Sequence, residues 1–324
     1  MKKNITIIAI ALFICVFAFN GCGGQGKPAG TEAGRKLSVV ATIFPPYDFA
    51  RVIAGDRADV AMLLPPGAET HSFEPTPQDI IRIQNCDVFI YVGGESDEWV
   101  SDALSSMDTS KMKIVTLMDC VETVEEEVVP GMQDEEEEPG EGEEGADEPE
   151  LDEHVWTSPR NAGLIVEKIA TAMTEADAEN ADVYRRNTDA YLQELDGLDA
   201  AFRGVVEGAA RKTIIFGDRF PFRYFADAYG LTYFAAFPGC STETEASAAT
   251  VKFLIDKINA EKIPVVFHIE LSNEKIAATL SEATGAKVLL LNSCHNISKR
   301  DFEAGKTYLE LMKANVPALK EALQ

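Results

Sequence analysis

Four times in this 324-residue chain a histidine or glutamate stands just ahead of a helix start, although the chain holds only four histidines. In PPGAETHSFEPTP the apolar run ADVAMLLP ends at Pro65 and His71 follows. Thr76 then supplies an N-cap, with Pro77 at the first helical position and Asp79 beyond it. His154 precedes VWT, Ser158 and Pro159. His295 follows the run AKVLLLN and precedes Ser298 and Asp301, while Glu270 closes the run IPVVFHIE before Ser272 and the helical pattern NEKIAATLSEATG. Loops that leave the carboxyl end of a strand and enter a helix are where open α/β sheets place their ligands. One construction used four times predicts one shared site.

The rest of the chain fits that frame. From Leu37 the strand patterns SVVATIF, ADVAMLLP, DVFIYVGG and KIVTLM alternate with short amphipathic helices, and from Lys212 TIIFGD, LTYFAAF, PVVFHIE and KVLLLN do the same. This alternation predicts the α/β class, as two lobes with mostly parallel sheets covered by helices. Between them Tyr184, Tyr191, Leu192, Leu195, Leu198 and Phe202 recur at helical spacing and predict a long connecting helix. The expected boundaries are an amino-terminal lobe over 37–165, a helical connection over 166–209 and a carboxyl-terminal lobe over 210–324, with the site in the cleft between lobes.

The net charge of −25 is unevenly spread. Between Glu122 and Glu153 lie 17 acidic residues and no lysine or arginine, and setting these aside leaves −8. An acidic surface of this kind repels nucleic acid and excludes it as a partner. The tract DEEEEPGEGEEG cannot bury enough apolar surface to order itself, so a disordered, solvated loop is expected over 122–152. At the amino terminus Lys2, Lys3 and the apolar run ITIIAIALFICVFAF read as an export signal over 1–21, too short for a membrane-spanning helix. With Gly21 and Cys22 it resembles a bacterial lipoprotein signal, in which Cys22 is lipidated and the Gly-rich stretch 22–36 is a flexible tether.

Export permits disulfides. Cys86 and Cys120 fall at opposite ends of first-lobe strands, too far apart to bridge. Cys240 and Cys294 both follow carboxyl ends of second-lobe strands, which leaves a Cys240–Cys294 bridge and two free thiols as alternatives.

On these residues the chain resembles the substrate-binding proteins of bacterial zinc and manganese ABC importers, the cluster A-I solute-binding family. The resemblance is carried by ATIFPPYDFA, GAETHSFEPTPQDI with His71, HVWTSPRNA with His154, YGLTYFAAF, and the passage from Glu270 to ATGAKVLLL. It implies two α/β lobes joined by one long helix, a metal ion in the cleft, a charged or histidine-rich loop ahead of the second metal histidine, and no enzymatic activity. Two positions depart from the family pattern. Gly217 and Asp218 stand where the family has a histidine after the first strand of the second lobe, and Asn292 stands where it has an aspartate after the last strand. His295, three residues on in the same loop, is placed to supply the missing donor. The metal set expected is therefore His71, His154, His295 and Glu270, with Asp218, His268 or water as alternatives for the fourth position. Three imidazoles and a carboxylate suit Zn²⁺. Exchange of His295 for Asp218 would move the preference toward Mn²⁺, which favours oxygen donors.

The function this implies is that of a lipid-anchored, extracytoplasmic and monomeric protein that captures Zn²⁺ between its lobes and hands it to the membrane permease of an ABC importer. A surface adhesin and an exported zinc hydrolase are the rivals from other classes. The hydrolase needs a general base beside an open coordination position, and the chain contains no HExxH motif.

Overall fold

The structure is a computed structural model that describes residues 35–69, 73–132, 150–241 and 245–324. The expected signal over 1–21, the lipidation residue Cys22, most of the tether over 22–36 and the first candidate ligand, His71, lie outside the described residues.

Near-continuous apolar runs become buried parallel strands. The first sheet contains β1 (Leu37–Ala41), β2 (Ala58–Met62), β3 (Val88–Tyr91) and β4 (Lys113–Thr116), all paired parallel in the order β2-β1-β3-β4. Parallel neighbours need crossovers, which are supplied by α1 (Phe44–Ala54), α2 (Pro77–Gln84) and α3 (Glu98–Ser105). Two longer helices follow, α4 (Pro159–Ala176) and α5 (Ala181–Glu207). The second sheet then repeats the order of the first as β6-β5-β7-β8, again all parallel. Its strands are β5 (Thr213–Arg219), β6 (Thr232–Phe237), β7 (Val265–His268) and β8 (Lys287–Leu290), connected through α6 (Arg223–Tyr229), α7 (Ala248–Glu261) and α8 (Lys275–Thr284). The chain closes with the short α9 (Lys299–Glu303) and α10 (Tyr308–Leu323). In both sheets the strand order reverses beside the first strand, which opens a crevice at the carboxyl edge.

Local chemistry sets the helix starts. Thr76 accepts from Asp79 N at 3.3 Å while Asp79 accepts from Thr76 N at 3.0 Å, a reciprocal capping box. Ser298 accepts from Asp301 N at 3.1 Å. Pro159 opens α4, although the Ser158 side chain makes no capping bond. After Glu270 the helix begins later than Ser272 suggests, because Leu271 and Glu274 both adopt left-handed backbone, with φ of 62° and 57°, before Lys275.

One continuous apolar cluster joins Val39 and Ala41 of β1, Ile165 and Ile169 of α4, Phe216 of β5 and Met312 and Leu319 of α10. Helix α5 runs through it for 27 residues, about 40 Å at 1.5 Å per residue, and buries Tyr184, Tyr191, Leu195, Leu198 and Phe202. The two sheets thus share a core. A smaller cluster backs the second sheet where α8 crosses β5. A Cβ at Gly217 would lie 2.5 Å from Ala277 N and Cα, so the helix rests on bare backbone. Gly217→Ala is expected to lower stability by roughly 1–3 kcal/mol through overpacking, read as a fall in denaturant midpoint; an unchanged midpoint would mean that α8 moves aside freely.

Two expectations are corrected. The stretch expected to be disordered over 122–152 is ordered at its flanks. Glu126 N donates to Glu150 O and Asp152 N to Val124 O, each at 2.9 Å, making an antiparallel neck, and Val129 is buried. Residues 133–149 lie outside the described residues. The Cys240–Cys294 bridge is absent, and both thiols are free. Strands β6 and β8 form opposite edges of their sheet, three strand spacings or about 14 Å apart, well beyond disulfide reach. No helix among the described residues is long and apolar enough to cross a membrane.

Candidate metal centre

A cavity of about 30 Å³ lies where loops from the carboxyl ends of both sheets meet. The loop after β2 contributes Ala68 and Glu69, the segment before α4 contributes His154, and the end of β5 contributes Arg219. The loops after β7 and β8 contribute Glu270 and, in turn, Ser293, His295 and Asn296. His154 and His295 therefore share one site, their rings edge to face with centroids 4.9 Å apart. An ion with bonds near 2 Å needs ring nitrogens that converge, and His154 and His295 bring two imidazoles to this one cavity.

Each imidazole is held by the backbone around it. His154 is fully buried, and both its backbone N, at 2.8 Å, and its ring Nδ1, at 3.2 Å, meet Asp152 Oδ1. That contact commits Nδ1 and leaves metal bonding to Nε2, the arrangement by which a carboxylate fixes the tautomer of a ligating histidine. Burial alone would push the imidazole's pKa down, but the nearby carboxylates of Asp152, Glu153 and Glu126 raise it above 6.5. Gly239 forms the wall beside the ring: a Cβ there would lie 3.1 Å from His154 Cε1. Trp156 packs on both histidines, with centroids 5.6 and 5.0 Å away, and is fixed by its Nε1 donating to Ser293 O at 2.8 Å.

His295 owes its position to Glu270. The Glu270 carboxylate accepts from Ser293 N at 2.7 Å, Ser293 Oγ at 2.7 Å and His295 N at 2.9 Å. These bonds wrap the loop around Cys294, whose φ of 60° is a left-handed conformation that non-glycine residues adopt at a cost. Burial raises the pKa of Glu270, and the donated hydrogen bonds draw it partly back. These donors engage most of the carboxylate's roughly four acceptor sites, so Glu270 shapes the site.

Asp218 is not among the residues lining the cavity. Its carboxylate accepts from Ile269 N at 3.2 Å and Arg219 N at 2.9 Å, tying β5 to the loop after β7. The register between β5 and β6 shifts from Phe216↔Ala235 to Arg219↔Phe237, one extra residue in β5. This bulge re-aims the strand end, and Arg219 lines the cavity in place of Asp218. His268 faces a neighbouring cavity of about 200 Å³, its Nδ1 3.0 Å from Ile269 O. Arg219, Asp152 and Trp156 were not anticipated from the sequence. An acid two residues before a candidate metal histidine was the available signal for Asp152, whereas Arg219 depends on a bulge with no local signature.

A larger cavity, about 780 Å³, lies at the end of the first sheet and is lined by Glu95, Asp97, Asp119, Glu150 and Glu153. It has no histidine, and among the described residues no cluster of three or more metal-type side chains converges there or elsewhere. The nitrogen donors make the smaller cavity the better site for a borderline-soft ion.

A family model described as ZnuA, zinc-uptake complex component A periplasmic, matches residues 39–322. The chain is 33% identical over 310 residues to the high-affinity zinc uptake system protein ZnuA of Bacillus subtilis, covering 95% of each. It is 31% identical over 319 residues to the zinc-binding lipoprotein AdcA of Streptococcus pneumoniae, covering 98% of this chain but only 61% of the length of AdcA. Among solved structures it is similar to the Zn(II)-bound ZnuA-like domain of that AdcA, with a TM-score of 0.73 and 29% identity over 89% of this chain and 99% of the domain. It is also similar to the laminin binding protein Lmb of Streptococcus agalactiae, described as bifunctional with adhesin and metal transporting activity, with a TM-score of 0.74 and 26% identity over 89% of this chain and 100% of Lmb. Two parallel sheets of the same order, facing loops that carry a histidine pair, and a match running across nearly the whole described body lead to one assignment: the chain belongs to the ZnuA family of periplasmic zinc-uptake components.

Proposed function

We propose that this protein captures Zn²⁺ in the cavity between its lobes and delivers it to the membrane permease of an ABC importer. It is a solute-binding protein and not an enzyme. In this reading Cys22 carries a lipid anchor after removal of residues 1–21, residues 22–36 tether a monomeric body outside the cytoplasm, and the lobes over 37–165 and 210–324 flank the helical connection over 166–209. His154, His295 and His71 supply nitrogen and Glu270 a carboxylate oxygen. Asp218, engaged with two backbone N–H groups, stays a structural residue. The observation that carries the reading is the approach of the His154 and His295 rings to 4.9 Å in one small cavity. With so many nitrogen donors, Zn²⁺ is favoured over Mn²⁺.

Competitive titration of Zn²⁺ against Mn²⁺ on the mature chain, beside His71→Ala and His295→Ala, tests this. One tight Zn²⁺ equivalent, lost in both variants, is expected. Tight Mn²⁺ binding indifferent to His295 would instead favour a site built on Glu270 and Asp218. The likeness to Lmb favours adhesion as a second reading, tested by whether the metal-loaded chain is retained on immobilised laminin.

A further inference from the structure

At the cavity an arginine of the second lobe grips a glutamate of the first. Arg219 Nη1 and Nη2 donate to Oε1 and Oε2 of Glu69 at 3.1 and 3.2 Å, a two-point pair, and Nη1 also donates to Ser241 O at 3.1 Å. Only 19% of the Arg219 side chain is exposed. Both residues line the cavity that holds His154 and His295, and Arg219 is the only permanently cationic side chain among the described lining residues. A guanidinium is an unexpected neighbour for a divalent cation. Unpaired, its charge opposes the ion; paired with Glu69, that charge is largely cancelled. The same first-lobe loop is also held by Asn296, whose Nδ2 donates to Pro65 O at 3.0 Å and Ala68 O at 2.8 Å. The neutral bonds fix the start of that loop, and the ion pair fixes the end nearest His71.

We propose that the Arg219–Glu69 pair is an interlobe latch that sets how long the cavity retains its ion. This rests on the reading that the cavity is the metal site. Closed, the latch ties the 65–69 loop to the second lobe and neutralises Arg219. Open, it frees the Glu69 end of the loop and turns an uncompensated positive charge on the bound cation, so opening and expulsion occur together. A permease that competes for either partner would trigger release without a wide separation of the lobes.

The test is Zn²⁺ release into excess chelator, followed by stopped flow, from the full mature chain and from Glu69→Gln, Arg219→Gln and the double variant, all near-isosteric changes. The double variant loses only the latch, leaving no charge behind, and is expected to release about threefold faster, the scale of a partly exposed ion pair. Glu69→Gln loses the latch and also leaves Arg219 unpaired, so about tenfold is expected from the added charge repulsion. Arg219→Gln loses the latch but leaves the Glu69 carboxylate facing the cation, so its release is expected to be slower than that of the double variant. Equal rates in all four proteins, or a double variant at the product of the single effects, would overturn the latch and leave the metal site standing. Release from Arg219→Gln slower than from the wild type, with Glu69→Gln and the double variant alike, would make Glu69 a ligand and overturn the latch as well. A wild-type chain with no tight Zn²⁺ would overturn both the latch and the site.

Discussion

His154→Ala is expected to remove tight zinc binding, lowering affinity by roughly two to three orders of magnitude. That is one ligand's share of the 10–16 kcal/mol by which four-ligand protein sites hold Zn²⁺. The argument rests on how little freedom the ring has. It is fully buried, its Nδ1 and backbone N both meet Asp152 Oδ1, and Trp156 packs beside it. Asp152 is anchored in turn, with Tyr224 Oη donating to its carbonyl at 2.7 Å and its own N bonded to Val124 O. A donor held this firmly spends little entropy when the ion arrives, so its loss is not recovered by another side chain swinging in. Chelator competition on the variant, with thermal unfolding alongside to show that the fold persists, measures the effect. Retention of wild-type affinity would remove His154 from the site.

The second large effect is on the fold of the site. Glu270→Ala is expected to cost roughly 2–5 kcal/mol of stability, because it strips the acceptor from two buried N–H groups at about 1–3 kcal/mol each. Ser293 N and His295 N donate to the Glu270 oxygens at 2.7 and 2.9 Å on either side of Cys294 with its φ of 60°, and His295 N has only the longer contact of 3.3 Å to Ser293 Oγ beside that. Once released, the loop is free to leave the left-handed conformation, and His295 leaves the cavity with it. Zinc affinity is therefore expected to fall together with stability. Denaturant unfolding of the metal-free protein checks the first part. A loss below 1 kcal/mol would show that the loop does not depend on Glu270, and would return this residue to the role of a simple ligand.

Much of this architecture was readable because its causes are local. Thr76 with Asp79 and Ser298 with Asp301 mark helix starts through bonds that span three residues, Pro159 marks one by its fixed backbone angle, and the strands are short apolar runs between them. That placed His295 at a carboxyl strand end and His154 just ahead of a helix start before any three-dimensional information, and the fold brought them together. What escaped was non-local. Asp218 and Arg219 differ by one position, and only the extra residue in β5 relative to β6 decides which of them lines the cavity. The Cys240–Cys294 alternative failed for a similar reason: both residues follow strand ends of one sheet, but β6 and β8 prove to be its two edges. The flanks of the acidic tract carry valines that charge counting overlooked, and they pair as a neck because the chain on either side is already fixed.

The small cavity also bears on which ions can enter at all. At about 30 Å³ the space left among its described walls is small. An arriving ion must therefore shed most of its water at the mouth. Magnesium gives up water reluctantly and seeks six oxygens at short, regular distances, so it meets a dehydration barrier that two imidazoles and a carboxylate do little to repay. Zinc is content with four donors of mixed kind and loses less. Discrimination against magnesium then follows from the cost of dehydration and the kind of donor acting together.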